Sequence, residues 1–309
     1  GVENTASFKA NGTGPFRLRE RQPSVRTVLV RNFNYWDKVD SNVDEVVFTP
    51  IGSDATRVAA LLSGEIDVIE PVPLQDVERI KASAAHTVLQ GPELRTIFLG
   101  VDQKRDELLF SSVKGKNPFK DVRVRKAFYQ AIDIETIKSR VMRGAATPTA
   151  LMVGPGVRGF APDMNKRAPY DPDAAKRLLA DAGYPNGFEV TLDCPNNRYV
   201  NDEKICVAVA GMLAKIGVNL KVNGMPRSQY FPKVQKLETS MYMLGWGGGT
   251  TDAYFTLNPV LHSRNDKGDG DYNWGNYKHP EFDALIDDAK GDMDAKRRQE
   301  TIIKAMKFH

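Results

Sequence analysis

The segment "MYMLGWGGGTTDAYF", residues 241 to 255, sets an apolar run, one Trp, a string of glycines, two threonines and an Asp in succession. Three kinds of chemistry use such a string. A phosphate loop cradles its ligand on glycine amides, but it needs a Lys after the glycines, and none stands here. A plain turn explains the glycines but leaves Trp246 at a strand end beside them, where an exposed ring forgoes about 25 cal/mol per Å² of apolar area. One wall of a ligand pocket explains both features. In that reading Trp246 stacks on or flanks a ligand and the amides of Gly247, Gly248 and Gly249 donate hydrogen bonds. Thr250, Thr251 and Asp252 then supply adaptable polar contacts.

Arg198, in "CPNNRYVND", falls between a strand end and a helix start, where a guanidinium can take a carboxylate bidentately. The alternative is a solvated surface Arg. Tyr199, Tyr254, Asn273, Trp274 and Tyr277 are secondary candidates that read first as packing residues and only then as ligand contacts. His86, His262 and His279 stand alone in sequence, with no paired ligand spacing and no nucleophile motif beside them. A general base needs a positioned partner, and the sequence offers none. "NDKGDGDYN", residues 265 to 273, has the flavour of a calcium loop. It sets Lys267 and Gly268 where that loop wants carboxylates and lacks the closing Glu, so it reads as a polar turn. No metal, cofactor or catalytic residue is expected.

The elements that must position these residues follow from composition and period. At 309 residues the chain suggests about two domains of roughly 150 residues each. With 41% hydrophobic and 27% charged residues it has the make-up of an ordinary globular protein. No apolar run approaches the roughly 20 residues of a membrane helix, and the chain opens on "GVENTASFKA" rather than on a charged and then apolar leader. A net charge of +4, with acids and bases interspersed, gives no reason to invoke nucleic acid. The densest basic stretch, "KGKNPFKDVRVRK" (114 to 126), reads as a solvated helix face. Cys194 and Cys206 are too few for a disulfide scaffold. They read first as two buried small apolar side chains, and alternatively as a single bridge in an oxidising compartment.

Period-two alternation marks strands in "FRLRE", "VRTVLVRN" and "DEVVF". A helix capped at Ser53 or Asp54 and stopped by Gly64 leads to an expected strand over 66 to 69. Helix "LQDVERIKAS" and strands "HTVLQ" and "RTIFLGVD" repeat the plan, which predicts a largely parallel sheet. A polar segment places the domain crossing near 101 to 118. Asp121 and Asp133 cap the next helices, and "MVGPGVRGFAPDMNKRAPY" (152 to 170) is a long loop of the kind that often carries function. Asp171 caps a helix with Pro172 at its first position and Gly183 as its stop, and Phe188, Val190 and Leu192 form one face of a strand. Two further strand–helix units deliver the glycines at the C-terminal end of "SMYMLGW", the edge where α/β sheets bind ligands. The last helix reaches His309 without a stop signal and reads as cut.

"NGTGPFRL", "LVRNFNYW", "AALLSGEIDVI", "NPFKDVRVRKAFYQAID", "AAKRLLADAGYPNGF", "YMLGWGGGTTDA" and "YKHPEFDALI" stand in the order found in family 5 extracellular solute-binding proteins. The chain resembles that family over essentially its whole length. The resemblance implies a class II periplasmic-binding-protein-like α/β fold, bilobed, with mixed sheets flanked by helices and lobes that close over a ligand. It implies an incomplete first lobe, because family members carry a further N-terminal portion and a C-terminal return to it. Residues 1 to 112 are then the remaining part of lobe one and 113 to 309 lobe two. It further implies a monomeric periplasmic receptor of an ABC importer that takes a peptide or similar small solute to a membrane permease, without catalysis. Trp246 would line the cleft, and the glycines would let a ligand backbone approach closely. Dipeptide and oligopeptide receptors of the family place an Asp three residues after this Trp, where it pairs with the peptide's amino terminus. Here that position is Gly249, which opens the reading to another peptide class, glutathione, a nickel chelate or an oligosaccharide. A sensor domain and a hydrolase on the same scaffold are the remaining alternatives.

Overall fold

Alternation in "FRLRERQ" and "RTVLVR" produces β1 (Phe16–Gln22) and β2 (Arg26–Arg31), a hairpin that pairs Phe16 with Arg31 and Gln22 with Arg26. β3 (Glu45–Phe48) adds antiparallel to β2. The structure, a computed structural model, describes residues 8–308. Ser53 Oγ accepts the Thr56 N–H and starts α1 (Asp54–Ser63), which buries Val58, Ala60 and Leu61 and stops at Gly64 with φ 78°. From "LQDVERIKAS" only α2 (Val77–Lys81) forms.

The strands expected over 66 to 69 and 86 to 90 do not form. A strand exists through its ladder, and neither segment has a partner among the described residues. The sheet of this first compact unit, which ends at His86, is wholly antiparallel where a largely parallel one was expected.

The second unit begins at Thr87, so the crossing expected near 101 to 118 falls inside it. The cause is β4 (Thr96–Val101), which pairs antiparallel with β7 (Met241–Trp246), Thr96 opposite Trp246 and Val101 opposite Met241. β5 (Glu189–Pro195) lies parallel to both β7 and β6 (Asn219–Met225), giving the mixed order β4-β7-β5-β6.

Helices cover this sheet where the caps predict them. Asp121 accepts the Arg123 N–H and opens α3 (Val122–Ala131), whose Val124, Ala127, Phe128 and Ala131 are buried. Asp133 caps α4 (Ile134–Thr136), which continues as a wider π turn over Ile137–Val141. Asp171 accepts the Ala174 N–H at the head of α5 (Pro172–Asp181), and Gly183 follows it at φ 90°. Phe188, Val190 and Leu192 join Phe119 and Phe128 in the main core, the last two rings edge-on at 5.2 Å. α6 (Asp202–Ala214) and α7 (Arg227–Gln235) complete the strand connections. α8 (Tyr254–Leu261), α9 (Pro280–Gly291) and α10 (Ala295–Ala305) gather Leu257, Phe282, Ile286 and Ile302 into a separate core. A short 3-10 turn follows to Phe308, and the expected helix end at His309 lies outside the described residues. No helix among the described residues is long and apolar enough to cross a membrane.

Cys194 on β5 and Cys206 on α6 are fully buried, but as a disulfide rather than as two separate thiols. Consecutive elements that pack on each other bring their Cα atoms to 6.7 Å, within the reach of a bridge. Sequence period carries no such distance. A bond closing 12 residues of chain restricts the unfolded ensemble and is expected to contribute about 2–4 kcal/mol. Urea unfolding should therefore show a lower midpoint with reductant than without. Two titratable thiols in the denatured, unreduced protein would show that the bond does not form.

Candidate functional site

Because β5, β6 and β7 run parallel, their C-terminal ends share one edge of the sheet, the edge at which α/β sheets leave a crevice for ligands. The turns at 196–201 and 247–253 leave from it, and β4 enters beside them. The sheet thus collects Trp246, Arg198 and Tyr199, which the sequence singled out. It adds Arg95 and Tyr272, which the sequence reading missed. Arg95 immediately precedes β4, and only the pairing of Thr96 with Trp246 reveals where it goes.

Trp246 is half-buried. Its Nε1–H donates to the Phe255 carbonyl at 3.1 Å, and its ring leans on Tyr272 with centroids 4.6 Å apart. The Tyr199 hydroxyl donates to the Gly245 carbonyl at 3.4 Å, and the guanidiniums of Arg198 and Arg95 stand 4.9 and 5.5 Å from its ring centre. Burial pushes the Tyr199 phenol up, against the opposing pull of the two arginines. Arg95 is neutralised by Glu93 at 2.5 Å. Arg198 has no carboxylate partner among the described residues, while its backbone N–H and that of Tyr199 are pinned by Asp202 Oδ2 at 2.8 and 2.9 Å. The edge therefore offers an aromatic wall and, in Arg198, a guanidinium without a carboxylate partner on a fixed backbone.

A Cβ at Gly247 would stand 3.2 Å from the Leu94 carbonyl, and one at Gly248 3.1 Å from the Thr250 carbonyl. Gly249 has open space around its Cβ position and no left-handed φ. Thr250 and Thr251 are exposed, and the Thr251 carbonyl accepts the Arg158 N–H at 2.8 Å. Asp252 points into the protein. Arg298 on α10 donates to its two oxygens at 2.6 and 3.1 Å, and the Tyr254 N–H adds a bond at 2.9 Å. Burial would raise this carboxyl, but the Arg298 and Tyr254 donors outweigh it and hold it below the usual carboxylate range. Tyr254 packs against the core around Leu257. Asn273 donates to the His262 and Tyr277 carbonyls, Trp274 packs on Tyr242, and the Tyr277 hydroxyl donates to the Phe308 carbonyl, so these three act as internal ties.

The long loop predicted over 152 to 170 reaches the site at Arg158, which bridges to Asp252. Its later part lines a separate cleft of about 330 Å³ with Asp133, Glu135, Thr149, Asn165 and Arg167. Arg167 lies over the Tyr129 ring at 4.0 Å, and burial lowers its pKa.

Comparison with solved structures gives the class of fold. A periplasmic binding protein of Helicobacter pylori, DppA, in complex with the peptide STSA superposes with a TM-score of 0.85 at 26% identity, over 96% of this chain and 55% of that one. A dipeptide-binding protein of Pseudoalteromonas in complex with Met-Leu shares the fold, with a TM-score of 0.82 at 24% identity over 100% of this chain and 61% of that one. The fold is that of the periplasmic binding proteins, with mixed sheets flanked by helices. Residues 2–268 match the sequence model of the bacterial extracellular solute-binding proteins, family 5 middle region, and the chain belongs to that family. Heme-binding protein A of Haemophilus influenzae is 28% identical over 294 residues, 94% of this chain and 51% of that protein. The glutathione-binding protein GsiB of Escherichia coli K12 is 29% identical over 266 residues, 84% of this chain and 49% of that protein. The chain spans about half the length of these relatives.

The bond between Asp252 and Arg298 has a pH signature. The folded carboxyl is held below its unfolded value of about 3.9. Its contribution is thus complete above that value and lost as pH falls through the folded one. Asp252→Asn should cost about 2 kcal/mol at pH 7, with the difference from wild type shrinking towards pH 3. Urea unfolding at the two pH values checks this, and an equal loss at both would rule out a charge-based tie.

Proposed function

We propose that this chain is the solute-recognising portion of a monomeric, extracytoplasmic receptor of an ABC importer. It takes up a peptide or peptide-like solute bearing a carboxylate and presents it to a membrane permease, making and breaking no bond. The observation that carries the reading is the uncompensated Arg198 guanidinium beside the Trp246–Tyr272 wall, at the ligand-binding edge of the sheet. Family membership supports the receptor role, and the names of the relatives, heme-binding and glutathione-binding, support a solute class beyond simple dipeptides. Peptides, glutathione and heme all carry carboxylates. The unit that begins at Thr87 supplies the lobe-two wall in this reading, and the earlier residues belong to lobe one.

Recognition of an α-amine by Asp252 is not favoured, because Arg298 already occupies its carboxylate. The position three residues after Trp246, where the resemblance places the amine-binding Asp of peptide receptors, is Gly249, and a side chain there meets nothing within 4 Å. This site accordingly reads the acidic end of its solute through Arg198 rather than the basic end through a carboxylate.

A thermal-shift panel of di- to pentapeptides, glutathione, heme, nickel chelates and oligosaccharides tests the class. A true ligand at 100 times its Kd adds about 2.7 kcal/mol. A carboxylate-bearing solute should stabilise the protein, and Arg198→Met should weaken it by about 10- to 100-fold, equivalent to a charged hydrogen bond of 1.5–3 kcal/mol. The C-terminal amide of a peptide hit should bind wild type as weakly as the free acid binds the variant. Stabilisation by neutral oligosaccharides alone would end the carboxylate reading. Gly249→Asp should leave the melting temperature unchanged and raise affinity for peptides with a free amino terminus over their N-acetylated forms. A preference that does not change would place residue 249 outside the ligand's reach.

A further inference from the structure

His262, isolated in the sequence, stands at the C-terminal end of α8 and is 5% exposed. Its Nδ1 lies 2.8 Å from the Ser263 carbonyl oxygen, which can only accept, so Nδ1 carries the proton and Nε2 presents a lone pair. Among the described residues no group hydrogen-bonds to this buried Nε2. It faces a carboxylate instead, Asp287 Oδ1 on α9 at 3.5 Å, and Asp269 of the "NDKGDGDYN" turn completes a cluster whose ligand atoms all lie within 4.8 Å of one another. In the neutral imidazole this Nε2 is a buried acceptor facing carboxylate oxygens, an arrangement that a cation between them relieves.

The geometry points to a divalent cation site formed by His262 Nε2, Asp269 and Asp287. Two ligands about 2.1 Å from a tetrahedral ion stand about 3.4 Å apart, close to the 3.5 Å between Nε2 and the Asp287 oxygen. One imidazole and two carboxylates suit zinc, nickel or cobalt rather than calcium or magnesium, which take oxygen ligands. The surroundings act as an outer shell. The Ser263 carbonyl fixes the imidazole tautomer, while Asn258 and Asn265 donate to Asp269 at 2.8 and 2.9 Å and hold its carboxyl well below the usual range. Asp283, whose carboxylate accepts the Ser263 N–H at 2.9 Å, adds negative charge 3.9 Å from Nδ1. The Lys290 ammonium, 3.2 Å from Asp269 Oδ1, is a competing cation on a half-exposed side chain that is free to withdraw. Three protein ligands leave the remaining position to water. The bound ion ties the end of α8 and the 265–273 turn to α9.

Isothermal titration of the metal-free protein with zinc chloride tests the site, with cobalt chloride absorption as a second reading of the ligand set. One equivalent should bind and raise the melting temperature. His262→Gln should lower affinity by more than the about 10- to 100-fold that follows loss of an outer-shell partner. Asp287→Asn changes an exposed side chain and guards against misfolding; it should keep the wild-type melting transition without zinc and weaken binding at least about 10-fold. Lys290→Met should tighten binding. The site is refuted if wild type shows no saturable binding, or if zinc binds His262→Gln and Asp287→Asn as well as it binds wild type.

Discussion

The double pairing of β7 is the constraint on which the second unit depends. Met241 to Leu244 are buried, with β4 antiparallel on one side and β5 parallel on the other. A strand enclosed in this way has its register fixed on both edges, since a slip of one residue would turn every side chain to the wrong face. That register puts Trp246 opposite Thr96 and so sets Arg95 and Glu93 at the mouth of the site. It also explains why residues after Thr87 belong with a sheet whose other strands begin about a hundred residues later.

Beyond Trp246 the chain leaves the sheet, and the loop is secured at separate points. The indole bonds forward to Phe255, the Thr251 carbonyl accepts from Arg158, and Asp252 is held by Arg298 of α10. The last of these joins the loop to a helix 46 residues further on. It consumes the one carboxylate of the segment, so the tie that orders the loop leaves that stretch of the sheet edge without a free acidic group beside Arg198.

Local signals were legible wherever the physics was local. The Asp121 and Asp171 caps, the Pro172 start, the Gly64 and Gly183 stops and the buried faces of α3 and β5 follow from neighbours within a few residues. The strand end bearing Trp246 was equally readable, and so was its place at the C-terminal edge of the sheet. What sequence could not give depends on partners distant along the chain. Segments 66 to 69 and 86 to 90 alternate like strands but have no ladder among the described residues. Cys194 and Cys206 needed a packing distance, and Asp252 needed Arg298. His262 looked solitary because its neighbour Asp287 comes from the next helix over.

The glycines of "LGWGGG" separate into those the fold requires and one it does not. A side chain at Gly245 would strike Ile97 and the Tyr199 ring at 2.6 and 2.7 Å, destroying the contact that holds Tyr199 against the strand. Those at Gly247 and Gly248 would press on carbonyl oxygens at 3.2 and 3.1 Å, where backbone has little room to give. Gly249 is bound by none of these constraints, having neither a close neighbour nor a left-handed backbone. A position free of packing demands, set among neighbours that are not, can change its chemistry without disturbing the fold. Neither packing nor backbone conformation among the described residues requires Gly at 249, so a side chain can be placed there while Trp246 and its flanking glycines keep the strand end in place.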